Sequence, residues 1–249
     1  MSSTKDYFFE VQQEACIEWG RQIYGYEIDP DEEPELWEKL ATEYSDMLDA
    51  KAEIQWLNRH SHQEFFKEFE TELAATASLL AAATQTPFAN TVFKLVYAHT
   101  VTLLEALISS VVRKLVVSDE NLLTSLAAGY KKVNVVSVSL KEIAENPKVV
   151  ETIVLRILAE QTFHNVATIK EVLGVMFGDH MKDLDLAGVG RICSKRHDIV
   201  HRNGKTVDDK PIELSPAEVD QAIRTVSEFA LDVRRRIEAA LREADPVSF

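Results

Sequence analysis

Apolar positions return at helical spacing along almost the whole chain. From Lys5 to Tyr24 they run through Val11, Ala15, Ile17, Trp19 and Ile23, which predicts an amphipathic helix. Gly25 to Pro34 interrupts the pattern with acidic residues and two prolines. The periodicity resumes from Glu35 to Arg59 through Leu36, Leu40, Tyr44, Met47, Leu48 and Ile54, and again from Gln63 to Ala83. Asn90 to Val117 is apolar on most of its circumference, the mark of a helix at a core or a subunit interface. Asp119 to Ala128 reads as a short capped helix. The β-branched stretch Gly129 to Ser139 fits a loop or an isolated strand. Ser139 starts another short helix. Pro147 opens the next at its first turn, and that helix runs toward His164.

The last third contains three further helices. Thr168 to Phe177 is stopped by Gly178, and Leu184 to Arg202 by Asn203-Gly204. Ser215-Pro216-Ala217-Glu218 has the form of a capping box with proline at the first helical position. The final helix extends to about Glu243, with Val219, Ile223, Val226, Phe229, Val233, Ile237 and Leu241 on one stripe. The prediction is an all-α fold, an antiparallel helical bundle with an additional N-terminal helical region. Thr84-Gln85-Thr86-Pro87 marks a boundary, dividing the chain into an acidic region, 1–85, and a helical domain, 86–249.

Composition adds little to this except in charge. Only 8 Gly and 7 Pro occur in 249 residues, in keeping with long helices. The net charge of −14 argues against a general nucleic-acid binder. It is unevenly spread: residues 1–85 hold 6 Lys and Arg against 19 Asp and Glu, while 86–249 hold 21 against 22. The acidic segment reads either as a solvated helical surface or as an arm that shields a basic site. Cys16 and Cys193 cannot form a disulfide framework and read as buried thiols. Met1 to Glu10 lacks the apolar core of a signal peptide, and no uninterrupted apolar run reaches membrane-spanning length. The expectation is a cytoplasmic protein without a membrane span.

One cluster carries candidate chemistry: Lys195-Arg196-His197-Asp198-Ile199-Val200-His201-Arg202-Asn203-Gly204-Lys205. Four of these eleven residues are Lys or Arg, two are His and one is acidic. On an ideal helix His197 lies about 40° from His201, and Asp198 about 60° from it, so the three share a face. Arg196 falls about 140° away, on a stripe with Ile192, Ile199 and Val200, where a guanidinium needs an anionic partner or a route to water. Glu105 is the complementary anomaly, one carboxylate among Ala98, Val101, Ile108 and Val112. It either orients Arg196 or stands apart as an exposed group. A histidine in the last helical turn can take a proton from a ribose 2′-hydroxyl or give one to a leaving oxygen, while arginine holds the phosphate. This chemistry requires no metal or cofactor. His197 and His201 alone lack a third ligand for zinc. His60 and His62 read as surface residues at a helix junction, and His99 and His164 as ordinary helix positions.

With Arg196, His197 and His201 at the end of a helix, the chain resembles the HEPN superfamily, whose signature is Arg, a polar residue, three variable residues and His. The longer string Arg-His-Asp-Ile-Val-His-Arg-Asn-Gly is similar to the HEPN subfamilies related to RiboL-PSP and abortive-infection proteins. The resemblance covers about residues 86–245; residues 1–85 resemble nothing known to us. It implies a homodimeric, metal-independent endoribonuclease of antiviral defence, a toxin–antitoxin pair or a stress response, leaving a 2′,3′-cyclic phosphate. His201 would be the acid/base and Arg196 the phosphate clamp. His197 takes the polar position where Asn or Asp is more familiar. Glu105 and Asp198 would support the site, and Lys195, Arg202, Asn203 and Lys205 would contact RNA. An antitoxin or regulatory protein is the implied partner. The alternative is an inactive HEPN module that binds a protein partner or nucleotide.

Overall fold

The computed structural model describes residues 4–83 and 87–244, with side chains from Val11 onward and Glu145 excepted. Among the described residues the regular structure is eleven α-helices and one 3-10 turn, with no strand. The helices are α1 (Thr4–Tyr24), α2 (Pro34–Arg59), α3 (His62–Ala83), α4 (Ala89–Ser118), α5 (Glu120–Gly129) and α6 (Lys131–Asn134), followed by α7 (Leu140–Glu145), α8 (Val149–Ala159), α9 (Val166–Phe177), α10 (Ala187–His201) and α11 (Pro216–Ala244). The fold is all-α.

The chain forms two compact units, residues 1–56 and 57–249. In the first, α1 and the greater part of α2 enclose Cys16, Ile28 and Leu40, with Trp19, Trp37 and Tyr44 packed around them. The apolar spacing in α1 predicts the helix, but its buried face centres on Cys16 and Gly20, leaving Ile23 exposed. Gly20 permits close packing: a Cβ there would come within 2.5 Å of Leu40 Cδ2.

In the second unit α3, α4 and α11 pack on one another, and α10 lies against α4, α9 and α11. Phe65, Phe66, Phe69, Leu73 and Leu80 form the buried stripe of α3. The compact units thus divide at 56/57, whereas the charge pattern shifts at 85/86. The helix 62–83 packs its aromatic stripe within the second unit, whereas a charge count sees only its solvated face. The acidic excess follows the observed boundary, with 4 Lys and Arg against 15 Asp and Glu in residues 1–56. Thr84, Gln85 and Thr86, on which the expected boundary falls, lie outside the described residues.

The long apolar helix α4 is central. It buries Val96, Tyr97, Thr100, Val101, Leu104, Ile108, Val111 and Val112 among others. By length and composition it could cross a membrane, but half of its most apolar window is buried within the protein.

Several helix ends follow local chemistry. Asp119 Oδ1 accepts from the Asn121 and Leu122 N–H groups at 2.8 and 3.3 Å, starting α5. Ser215 and Glu218 close the capping box of α11 with bonds of 2.9 and 3.3 Å. Two stretches depart from expectation. Residues 131–134 are a short helix, because Tyr130 is buried and its hydroxyl donates to Gln161 Oε1 at 3.1 Å, fixing the turn there. Helix α8 begins at Val149, two residues after Pro147, and ends at Ala159, so His164 lies beyond it in the connection to α9.

Candidate active site

Helix α10 positions the cluster. Asp185 Oδ1 accepts from the Ala187 N–H at 2.8 Å and sets its start three residues later than the apolar pattern suggests. Val189, Ile192, Cys193 and Ile199 bury one face. The helix ends at His201. The Gly204 N–H then donates back to Ile199 O at 3.0 Å, with Asn203 and Gly204 at φ +52° and +73°. This back-bond and the two left-handed residues form a Schellman-type stop, which Asn-Gly suits. The segment beyond is pinned on both sides. Ile212 N–H donates to Gly204 O at 2.8 Å, and Leu214 N–H donates to Asn90 Oδ1 at 3.1 Å, tying it to the start of α4.

His197 and His201 are both exposed, with ring centroids 4.7 Å apart. Of the three residues expected to share this face, Asp198 has its carboxylate paired with Arg202 one turn on. Arg196 lies half-buried between Ile192 and Ile199, as the stripe predicts, while Val200 on the same stripe is exposed. Its Nε is buried and has no hydrogen-bond partner.

Glu105 does not pair with Arg196. Its Oε1 lies 3.0 Å from His164 Nδ1, with both side chains about one-quarter exposed. The carboxylate therefore satisfies the imidazole of the α8–α9 connection. Helical spacing makes His164 an ordinary helix position, whereas the structure puts it in a turn. The missed signal is Asn165, whose side chain accepts from the Ala167 N–H at 3.0 Å and starts α9, placing His164 in a turn. The Cys193 thiol is buried, which pushes its pKa up to about 11; nearby Glu105 adds to the rise and Arg196 opposes it. Both residues thus lie within electrostatic reach of one α10 side chain.

The residues expected to contact RNA are mostly engaged with carboxylates. Lys195 Nζ is 3.3 Å from Glu218 Oε1, Lys205 Nζ is 2.8 Å from Asp209 Oδ1, and Arg202 holds Asp198. Asn203 terminates the helix. A further cation, Lys94 of α4, lies over Gly204: its Nζ is 2.6 Å from where a Cβ would sit. Sequence spacing cannot find Lys94, because its approach depends on the pinned connection. Among the described residues no three His, Cys, Asp or Glu side chains gather as a metal site. Chemically, α10 carries two exposed imidazoles and an arginine whose buried Nε has no partner among the described residues, while Glu105 separately holds the His164 imidazole.

No family model, curated protein or solved structure matches this chain.

Proposed function

We propose that this chain is a metal-independent endoribonuclease of the HEPN type, acting in antiviral defence, as a toxin or in a stress response. The observation that carries the reading is Arg196: a half-buried guanidinium whose Nε has no partner, on the same helix as the His197–His201 pair. An unsatisfied buried donor is costly; the Nε itself is closed to solvent, so a phosphate would bind Arg196 at its outer nitrogens or after the side chain shifts. Arg196 then grips the scissile phosphate, and His201 takes the proton of the attacking 2′-hydroxyl. Attack at phosphorus releases the 5′-oxygen and leaves a 2′,3′-cyclic phosphate. His197, its ring tilted 4.7 Å from that of His201, would contact the same phosphate.

The substrate is single-stranded or looped RNA, because in-line attack needs a flexible backbone. Lys195, Arg202 and Lys205 contribute by exchanging their exposed carboxylate partners for phosphates. Such surface pairs are worth about 0–1 kcal/mol and yield readily. The active form is a homodimer that brings two Arg196–His201 motifs together, and a regulatory protein or antitoxin restrains it.

The alternative, an inactive module binding a protein or nucleotide, draws on the same neutralised cations. The two part on one experiment. Purified protein is incubated with mixed RNA in EDTA beside His201→Ala and Arg196→Ala. The ribonuclease reading expects cleavage by the wild type and loss of about 10²–10⁴-fold in the His201 variant. Equal activity in all three proteins sinks it.

A further inference from the structure

Three of the cations around the end of α10 already hold carboxylates: Lys195 pairs with Glu218, Arg202 with Asp198 and Lys205 with Asp209. Lys94 of α4 differs from them. It is half-buried, and among the described residues its ammonium has no hydrogen-bond or ion-pair partner. Taking a charge partly out of water without a partner costs free energy. An anion arriving from outside offsets that cost, and it reaches Lys94 without displacing a carboxylate.

The ammonium stands at the end of the motif helix. Nζ, Cε and Cδ of Lys94 lie 2.6, 3.3 and 3.4 Å from where a Cβ on Gly204 would sit, so the end of the side chain runs over that residue. Gly204 is folded back on α10 by its bond to Ile199 O at 3.0 Å. Three residues of chain join it to His201, which keeps the two backbones within about 11 Å of each other. The Leu214–Asn90 bond of 3.1 Å braces the following segment against the start of α4, one turn before Lys94. A lysine beside a helix C-terminus can also cap its last carbonyls. Lys94 bonds none of them: Asp198 O and Ile199 O accept from the Arg202 and Gly204 N–H groups instead.

We propose that Lys94 is an RNA-binding residue that holds a backbone phosphate flanking the scissile one; this rests on the ribonuclease reading above. A strand carries a phosphate about every 3.4 Å of stacked rise, so the phosphate at Lys94 and the one attacked beside His201 are separated by only a few nucleotides. Lys94 touches none of the reacting atoms. It contributes equally to the bound substrate and to the transition state, which strengthens binding and leaves the chemical step unchanged.

The test uses the full-length protein and an RNA oligonucleotide spanning the cleavage site determined for the wild type. A 2′-O-methyl group at that site gives an uncut version, whose binding is read by fluorescence anisotropy. In further versions one flanking phosphate at a time is replaced by an uncharged methylphosphonate. The proposal expects Lys94→Gln to weaken binding by about 10-fold or more, as loss of a charged contact does, and to flatten the slope of log Kd against log salt by about 0.7. Lys94→Arg should retain most of the binding. On cleavable RNA both variants should keep a kcat near that of the wild type. One methylphosphonate position should weaken the wild type and leave Lys94→Gln unaffected. Wild-type affinity and salt slope in Lys94→Gln overturn the proposal and leave the ribonuclease reading intact. So does weaker binding in which every methylphosphonate costs variant and wild type alike, since that marks a structural role. Absence of RNA cleavage by the wild type overturns both.

Discussion

Replacing Gly204 with alanine tests how the motif helix is stopped. Gly204 has φ +73°, a conformation that costs an L-residue about 1–2 kcal/mol. Alanine recovers part of this by stiffening the unfolded chain, by about 0.4–1 kcal/mol, so the net loss from backbone strain is about 1 kcal/mol. The new Cβ would also meet Lys94 Nζ at 2.6 Å and Cε at 3.3 Å. Both atoms belong to the free end of a flexible side chain, which can swing aside at little cost. The strain should therefore dominate. Gly204→Ala is expected to lower Tm by about 2–4 °C, with the same decrement in a Lys94→Ala background. Differential scanning calorimetry of the four proteins measures both quantities. An unchanged Tm refutes the helix-stop argument. A loss that vanishes in the Lys94→Ala background shows instead that the Lys94 contact sets the cost.

Two further predictions concern titratable groups away from the exposed histidines. Burial lowers the pKa of His62, with Arg234 and Lys114 acting in the same direction and Glu238 opposing them. The unfolded chain then binds more protons just below the ordinary histidine range, so this group's contribution to stability falls as pH drops through about 6.5. Urea titrations should show His62→Gln losing stability less steeply between about pH 7 and 5 than the wild type, and parallel curves would refute the assignment. The raised pKa of the Cys193 thiol, about 11, predicts slow alkylation by iodoacetamide at pH 8 in the folded protein and fast alkylation after denaturation. Mass mapping of rapid modification at Cys193 in the native state would contradict its burial.

What the sequence reveals and what it conceals divide along physical lines. Helix class, the caps at Asp119 and Ser215, and the stop at Asn203-Gly204 follow from local spacing and turn chemistry, and the structure has them. The half-burial of Arg196 follows from its place on the apolar stripe of α10. The partners of the charged groups do not, because each had a nearer choice than a pattern can rank. Asp198 pairs with Arg202 one turn on, and Glu105 finds His164, which is 59 residues away in the chain. The compact units divide at 56/57 rather than at the charge shift for a related reason. Helix α3 displays acidic residues on its solvated face, yet its aromatic stripe packs on α4 and α11. Net charge reports surface, and a boundary depends on what is buried. Lys94 meets Gly204, and Glu105 meets His164, only through chain connections that fold back on the helices, beyond the reach of periodicity.

The proposed ribonuclease activity rests on α10, with its half-buried Arg196 and the exposed pair His197 and His201. Its most direct test follows the ends of the products. Wild-type protein in EDTA is given an RNA pool and the same sequences carrying 2′-O-methyl groups throughout, and product termini are identified by mass spectrometry. The account predicts cleavage of the RNA alone, leaving 2′,3′-cyclic phosphates and 5′-hydroxyls, because the attacking group is the 2′-hydroxyl. Cleavage of the methylated pool, or 5′-phosphate products from the RNA, would contradict it.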